Sequence, residues 1–276
     1  MDLREIRDAY IDDGLDFQNA TARTCRDVVL SLISASRMAD HVTVKGGVVM
    51  QQISGDKRRA TRDLDLDFVR YPMTDEAIRS FIHALCPSDV DVKLEIAGPI
   101  EDLKHQDYHG KRVHLRITDG SGTSMDAKLD LGVHDKLPLE QQELWFDTAL
   151  QDEGIALMAN GKEQICAEKL RSLMRIGAAS TRFKDVFDVY YLLCREGVDE
   201  NALGQAMRLL VYDAGDMREN NSQDAFARLS RVLNDRRFRK NLANARNNWL
   251  GANVDKVVSG ILRHFEACLA MHRNMH

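Results

Sequence analysis

The run Thr61-Arg62-Asp63-Leu64-Asp65-Leu66-Asp67 puts three carboxylates at alternate positions. In an extended strand successive side chains face opposite ways, so Asp63, Asp65 and Asp67 share one face and Leu64 and Leu66 the other. Like charges stacked on one face repel and lower strand propensity. Two explanations are open. The strand is a solvated edge whose charge prevents edge-to-edge aggregation, or a divalent cation neutralises it. Hard oxygen donors of this kind suit Mg²⁺ or Mn²⁺, which bind one or two carboxylates together with substrate phosphates. A second segment, Asp126-Ala127-Lys128-Leu129-Asp130-Leu131, places Asp126, Lys128 and Asp130 on one face by the same period. A third carboxylate beside the first two completes a two-metal clamp, in which the ions activate a hydroxyl and hold a leaving pyrophosphate. Lys128 can pair with a phosphate or simply offset the acidic face.

Lys45-Gly46-Gly47 lies 16 residues before the first of these carboxylates. A double glycine lets backbone N–H groups approach a phosphate at a helix N-terminus. Alone it is as well explained by a tight turn, and GxxxxGK[ST] is absent, so it is not a P-loop. Other chemistries find less support. None of the nine histidines has HExxH spacing, and His105 and His109 sit in a polar stretch that reads as surface loop. No nucleophile elbow suggests Ser/His/Asp catalysis. Eleven methionines read as core filler.

The elements that must position these groups follow from periodicity. Residues 2–40 read as helical with a break near Asp13-Gly14, because Ile6, Tyr10 and Ile11, then Val28, Val29, Leu32 and Ile33, recur at helical spacing. His41 to Val44 is a short strand, Val48 to Ile53 the start of a helix closed by Gly55, and Leu64 to Val69 an alternating strand. Thr74 caps a helix to Leu85. Strands are expected over Val90 to Ala97, Lys111 to Thr118 and Met125 to Val133, with short extended pieces over Trp145 to Leu150 and Ile155 to Ala159. From Lys162 the pattern is helical. Ile165, Leu170, Leu173 and Met174 form one face; Phe187, Tyr190, Tyr191, Leu192 and Leu193 form another. The expected fold class is α/β (α+β): a mixed-sheet domain over residues 1–160, then a helical domain over 161–276.

Composition bounds the class. With 44% hydrophobic and 29% charged residues, the 276-residue chain is too apolar for disorder and too charged for a membrane bundle. No apolar run approaches the roughly 18 residues of a membrane span. The start, Met1-Asp2-Leu3-Arg4-Glu5, lacks a signal-peptide layout. Five cysteines, at 25, 86, 166, 194 and 268, make neither a disulfide frame nor a zinc spacing. A reduced, cytoplasmic protein is expected. Residues 1–160 carry 19 Lys+Arg against 29 Asp+Glu, a balance of −10; residues 161–276 carry 19 against 14, a balance of +5. Arg228, Arg231, Arg236, Arg237, Arg239, Lys240 and Arg246 fall within 19 residues, against Asp235 alone. Such a run is either a solvated helix face or a surface for a nucleic-acid backbone.

Taken together, these motifs resemble the nucleotidyltransferase fold of the polymerase-beta superfamily, and within it the AbiEii/AbiGii family, which includes the MenT toxins. The family's KGG and R-x-[ST]-x-D-[ILV]-D patterns correspond to Lys45-Gly46-Gly47 and to Arg59 through Asp65. Its K-x-D strand corresponds to Lys128-Leu129-Asp130, its A-E-K-L helix to Ala167 through Leu170 with Arg175 ending the motif, and its R-x-K-D-x-x-D-[ILV]-Y to Arg182 through Tyr190. The match runs over about residues 40–195. Val48 stands where the family usually has Ser or Thr. The resemblance implies that Asp63, Asp65 and Asp130 bind Mg²⁺ (or Mn²⁺) and are catalytic, with Asp67 accessory. Lys45, Gly46, Gly47, Thr61, Lys128 and Lys169 would hold the NTP substrate, and Lys169 and Asp185 would be catalytic residues of the second half. Asp185 and Asp188 share a helix face, so a structural ion-pair network with Lys169, Arg182 or Lys184 competes with the catalytic reading. The implied activity is a nucleotidyltransferase toxin of a toxin–antitoxin system, with a tRNA 3′ end as acceptor, the basic C-terminal half as its surface and a cognate antitoxin as partner. Transfer to a small molecule or a protein side chain, or a non-catalytic binding module, are the rival readings.

Overall fold

A carboxylate-bearing strand keeps its place in a sheet when its other face is apolar enough to hold it. The computed structural model describes residues 1–86, 91–103, 110–136, 138–246 and 248–273, and they form two compact units, residues 1–160 and 161–276. In the first, α1 (Leu3–Asp12) and α2 (Phe17–Ser34) precede β1 (Val42–Lys45), α3 (Gly46–Ser54), β2 (Leu64–Phe68) and α4 (Asp75–Ala84). Then come β3 (Val92–Ile96), β4 (Glu101–Asp102), β5 (Lys111–Asp119), β6 (Ser124–Val133), β7 (Gln141–Thr148) and β8 (Gln151–Asn160). They make one mixed sheet in the order β3-β5-β6-β2-β1-β8-β7, with β4 added to β5. The pairs β2–β6 and β1–β8 are parallel and the others antiparallel. An α/β (α+β) fold with a mixed sheet and flanking helices is therefore the architecture.

Local chemistry explains the elements. Asp2, Asp16 and Thr74 cap α1, α2 and α4 by accepting first-turn N–H groups. Gly55 ends α3 in the left-handed conformation at φ 60°. Leu64, Leu66 and Phe68 of β2, Val113, Leu115 and Ile117 of β5, and Leu129 and Leu131 of β6 are all buried. Helix α2 packs on β6 and β8, and α4 on β3, while Phe68 meets Phe81 of α4 edge-on at 5.1 Å.

Two expectations need correction in extent. The pieces expected at Trp145–Leu150 and Ile155–Ala159 are one hairpin of 8- and 10-residue strands, and β8 enters the sheet beside β1, with Val44 opposite Ala159. Its outer strand β7 is largely polar and Trp145 is 55% exposed, so no alternating pattern announced it. Strand β4 is two residues long and took its place from pairing with β5 alone. Of the strand expected from Val90, the described part runs Val92–Ile96; residue 90 and the pair His105 and His109 lie outside the described residues.

The second unit is helical: α5 (Lys162–Ile176), α6 (Phe183–Tyr191), α7 (Glu200–Met207), α8 (Ser222–Leu233), α9 (Arg236–Ala243) and α10 (Val254–Arg273). Helices α6 and α7 each continue into a wider π-type turn, Leu192–Glu196 and Arg208–Tyr212. An i→i+5 turn has more residues per turn than the 3.6-residue period assumes, so that period does not mark it. Around α5, the side chains of Leu170, Leu173, Val186, Phe187, Leu229, Phe238 and Ile261 are fully buried.

Leu66 is 0% exposed at the centre of β2. Leu66→Ala is expected to cost about 2–5 kcal/mol, read from the urea unfolding midpoint; a loss below 1 kcal/mol would contradict this packing.

Candidate active site

The polar face of the sheet is built in rows. Register pairs Glu101 with Arg112, Arg112 with Asp130, Asp130 with Asp65, and Asp65 with Lys45, so one row crosses five strands. A second row sets Glu95 beside Arg116 and Arg116 beside Asp126. Lys128 Nζ lies 3.1 Å from Asp63 Oδ1 in the row between them. Acids and bases alternate along these rows except at one place, where Asp65 and Asp130 are neighbours on parallel strands. Adjacent strands are about 4.8 Å apart. Charges at about that distance repel by roughly 3 kcal/mol at an effective dielectric near 20.

The cations around this pair are spoken for. Arg112 grips Asp130 with both prongs, Nε to Oδ1 at 2.7 Å and Nη2 to Oδ2 at 2.8 Å, and Asp130 is 4% exposed. That hydrogen bonding outweighs burial and raises the Arg112 pKa. Lys45 directs Nζ to Asp67 Oδ1 at 2.5 Å, both residues buried. Asp67, expected as an accessory carboxylate, is thus the counter-ion of the first lysine. Asp126 pairs with Arg116 and is exposed.

The glycine turn presses on the same spot. Gly46 begins α3 at φ 66°, where a side chain is strained. A Cβ there would lie 2.4 Å from Asp65 Oδ2, and one on Gly47 would lie 2.5 Å from Thr61 Oγ1. Lys45-Gly46-Gly47, Thr61 and Asp65 are therefore in contact, with the first-turn N–H groups of α3 beside the carboxylate. Val48 turns away from this contact: it is buried and lines a cavity of about 140 Å³ with Arg26, Gln51 and Phe146.

The chemistry of the donors fits a hard divalent ion. Asp63, Asp65 and Asp130 offer only oxygens, on one face, with the acid–acid neighbour pair Asp65–Asp130 at the centre. Among the described residues no three His, Cys, Asp or Glu side chains converge as a ready-made ligand set. Arg112 and Lys128 hold Asp130 and Asp63 instead, so cation binding requires these side chains to share or release them.

The second unit carries its own charge cluster. Lys169 Nζ sits 2.7 Å from Asp185 Oδ1 and 2.9 Å from Asp188 Oδ2, Arg182 Nε donates to Asp185 Oδ2 at 2.6 Å, and Trp249 Nε1 to Asp188 Oδ1 at 3.0 Å. Lys169, Asp185 and Asp188 are buried. Burial alone would raise the Asp185 pKa, but Lys169 and Arg182 outweigh it and hold it at about 2.

Sequence reasoning missed Arg112 and Trp249. Arg112 had a signal: Arg112, His114 and Arg116 alternate on β5 as Asp126, Lys128 and Asp130 do on β6, and an antiparallel hairpin brings the two series together. Trp249, 61 residues from its partner, had none.

A family model described as the AbiEii nucleotidyl transferase toxin of type IV toxin–antitoxin systems matches residues 28–270. The match extends past both ends of the motif-bearing segment 40–195 and takes in α8 and α9. No curated protein matches the chain.

Arg112→Gln strips the clamp from a buried carboxylate beside a second acid. The metal-free protein is expected to lose about 1.5–3 kcal/mol and to gain more in melting temperature from Mn²⁺ than the parent; equal metal shifts would exclude competition between Arg112 and a cation. Asp185 has its folded pKa below the unfolded ~3.9, so its contribution is full above about pH 4 and lost as pH falls towards 2. Urea midpoints of the parent should therefore drop more steeply through that window than those of Asp185→Asn, and parallel profiles would count against the network.

Proposed function

The chain belongs to the AbiEii nucleotidyl transferase toxin family of type IV toxin–antitoxin systems, and from that premise we propose that it transfers a nucleoside monophosphate from an NTP to an acceptor hydroxyl at a tRNA 3′ end. The observation that carries this reading is the Asp65–Asp130 neighbour pair, where two acids stand side by side on parallel strands. Asp65 and Asp130, with Asp63, would hold Mg²⁺ or Mn²⁺. When bound, such an ion polarises the phosphate and acidifies the attacking hydroxyl.

The chain's own groups do the rest. The turn Lys45-Gly46-Gly47 offers α3 N–H groups to phosphate oxygens, with the Thr61 hydroxyl against Gly47. Lys128, half-exposed beside Asp63, is free to exchange a carboxylate for a phosphate. In the transfer, the acceptor oxygen bonds to the α-phosphorus as the bond to the β-phosphate oxygen breaks, and pyrophosphate leaves. Lys169 is the proposed triphosphate-holding cation of the second unit; it is buried against Asp185 and Asp188, and holding a phosphate requires it to release one of them. A carboxyl held at about 2 is a poor base near neutral pH, so the environment of Asp185 favours orienting Lys169 over taking a proton.

The tRNA reading is supported by the +5 balance of residues 161–276, and the family implies a cognate antitoxin. A cytoplasmic site of action is part of the proposal; no described helix is long and apolar enough to cross a membrane.

Protein mixed with Mg²⁺, α-labelled NTPs and total tRNA should label the tRNA. Asp65→Asn should abolish the label with the melting temperature unchanged or raised, because one of two facing like charges is gone. Full transfer by that variant would remove Asp65 from the metal site, and label on protein alone would replace the acceptor.

A further inference from the structure

In the second unit the C-terminal turn of α5, residues 216–219 and one face of α8 enclose a cleft of about 640 Å³. Asp224, Ala227, Arg228 and Arg231 supply the α8 wall at helical i, i+3, i+4 and i+7 spacing. All four cations lining it are arginines: Arg175, Arg218, Arg228 and Arg231.

Its acids already have protein partners. Asp216 is held by Arg171 Nη2 at 2.8 and 2.6 Å, with Arg175 Nη1 at 3.3 Å. Glu219 accepts from the Arg218 backbone N–H at 3.3 Å and lies 3.9 Å from Arg228 Nε. Asp224 accepts from Asn221 Nδ2 at 2.8 Å. Arg228 is pinned at the cleft floor, its Nε donating to the Met174 carbonyl at 2.9 Å and its Nη2 lying where a Cβ on Gly177 would be 2.7 Å away. The side chains of Arg218 and Arg231, both exposed, make no hydrogen bond or ion pair among the described residues. Arg228 is thus fixed at the floor, and Arg218 and Arg231 stand at the rim with guanidiniums that can take an anion.

We infer that this cleft is a phosphodiester-binding site that anchors the backbone of a single-stranded RNA. Three features select that ligand. Guanidinium forks match phosphate oxygens and their planes stack on bases. The volume admits a nucleotide-sized segment. Among the described residues Met174 and Met217 are the only large apolar side chains lining it, too few for an amphipathic peptide. The identity of the RNA as acceptor rests on the proposed nucleotidyl transfer; the anion site does not.

The test is fluorescence anisotropy of a labelled tRNA across a salt series, with the full chain. Arg218→Glu/Arg231→Glu is expected to weaken binding at least tenfold near 0.1 M salt and to flatten the salt slope by about 1.4–1.8, the contribution of two phosphates. Arg236→Glu/Arg237→Glu, an equal charge change on exposed positions of α9, should do markedly less. Both variants should keep the parent's melting temperature and circular-dichroism spectrum, which certifies the fold. Parental affinity and slope in the first variant, or an equal loss in the second, would overturn the cleft while leaving the transfer reading intact. A parent that binds no RNA would overturn both the cleft and the tRNA acceptor.

Discussion

Parallel pairing of β2 with β6 sets Asp65 against Asp130, and the polar face of the sheet is organised around that juxtaposition. Two carboxylates one strand apart are stable only beside cations. Arg112 closes on Asp130 from β5, Lys128 on Asp63 from β6, and Lys45 takes up Asp67. The apolar face pays for the arrangement, because Leu64, Leu66, Leu129 and Leu131 bind the same strands to the core whatever happens above them.

The second unit treats acids differently. Asp185 and Asp188 are buried among helices, where a lone ionised carboxylate would cost several kcal/mol, and Lys169, Arg182 and Trp249 saturate them with directed bonds. Of the sheet's acids, Asp63 is half-exposed and held by the half-exposed Lys128, while Asp67 and Asp130 are buried like the acids of the helical unit. The Arg-lined cleft is a third arrangement, in which guanidiniums outnumber the acids that fix them.

Much of this is legible in the amino-acid sequence. Period-two alternation located β2, β5 and β6, and the helical stripes located α1 to α6, because each element buries one face and its sequence records which. Thr74 and Gly55 marked helix ends by their capping chemistry. The long β7–β8 hairpin was only half visible, since an edge strand with few apolar residues leaves no period to read. The π-type turns after α6 and α7 were invisible because a 3.6-residue period does not describe an i→i+5 turn.

By itself the sequence determined which residues share a face, since alternation is a local property of the backbone. It put Asp63, Asp65 and Asp67 together, joined Lys128 to Asp130, and set two glycines after Lys45. Only the tertiary structure decided which face meets which. Register between β2 and β6 made Asp65 and Asp130 neighbours, and the β5–β6 hairpin delivered Arg112 to Asp130. A bend of the chain across 61 residues brought Trp249 to Asp188. Those pairings depend on strand order and helix packing, which the whole core selects and no short segment encodes.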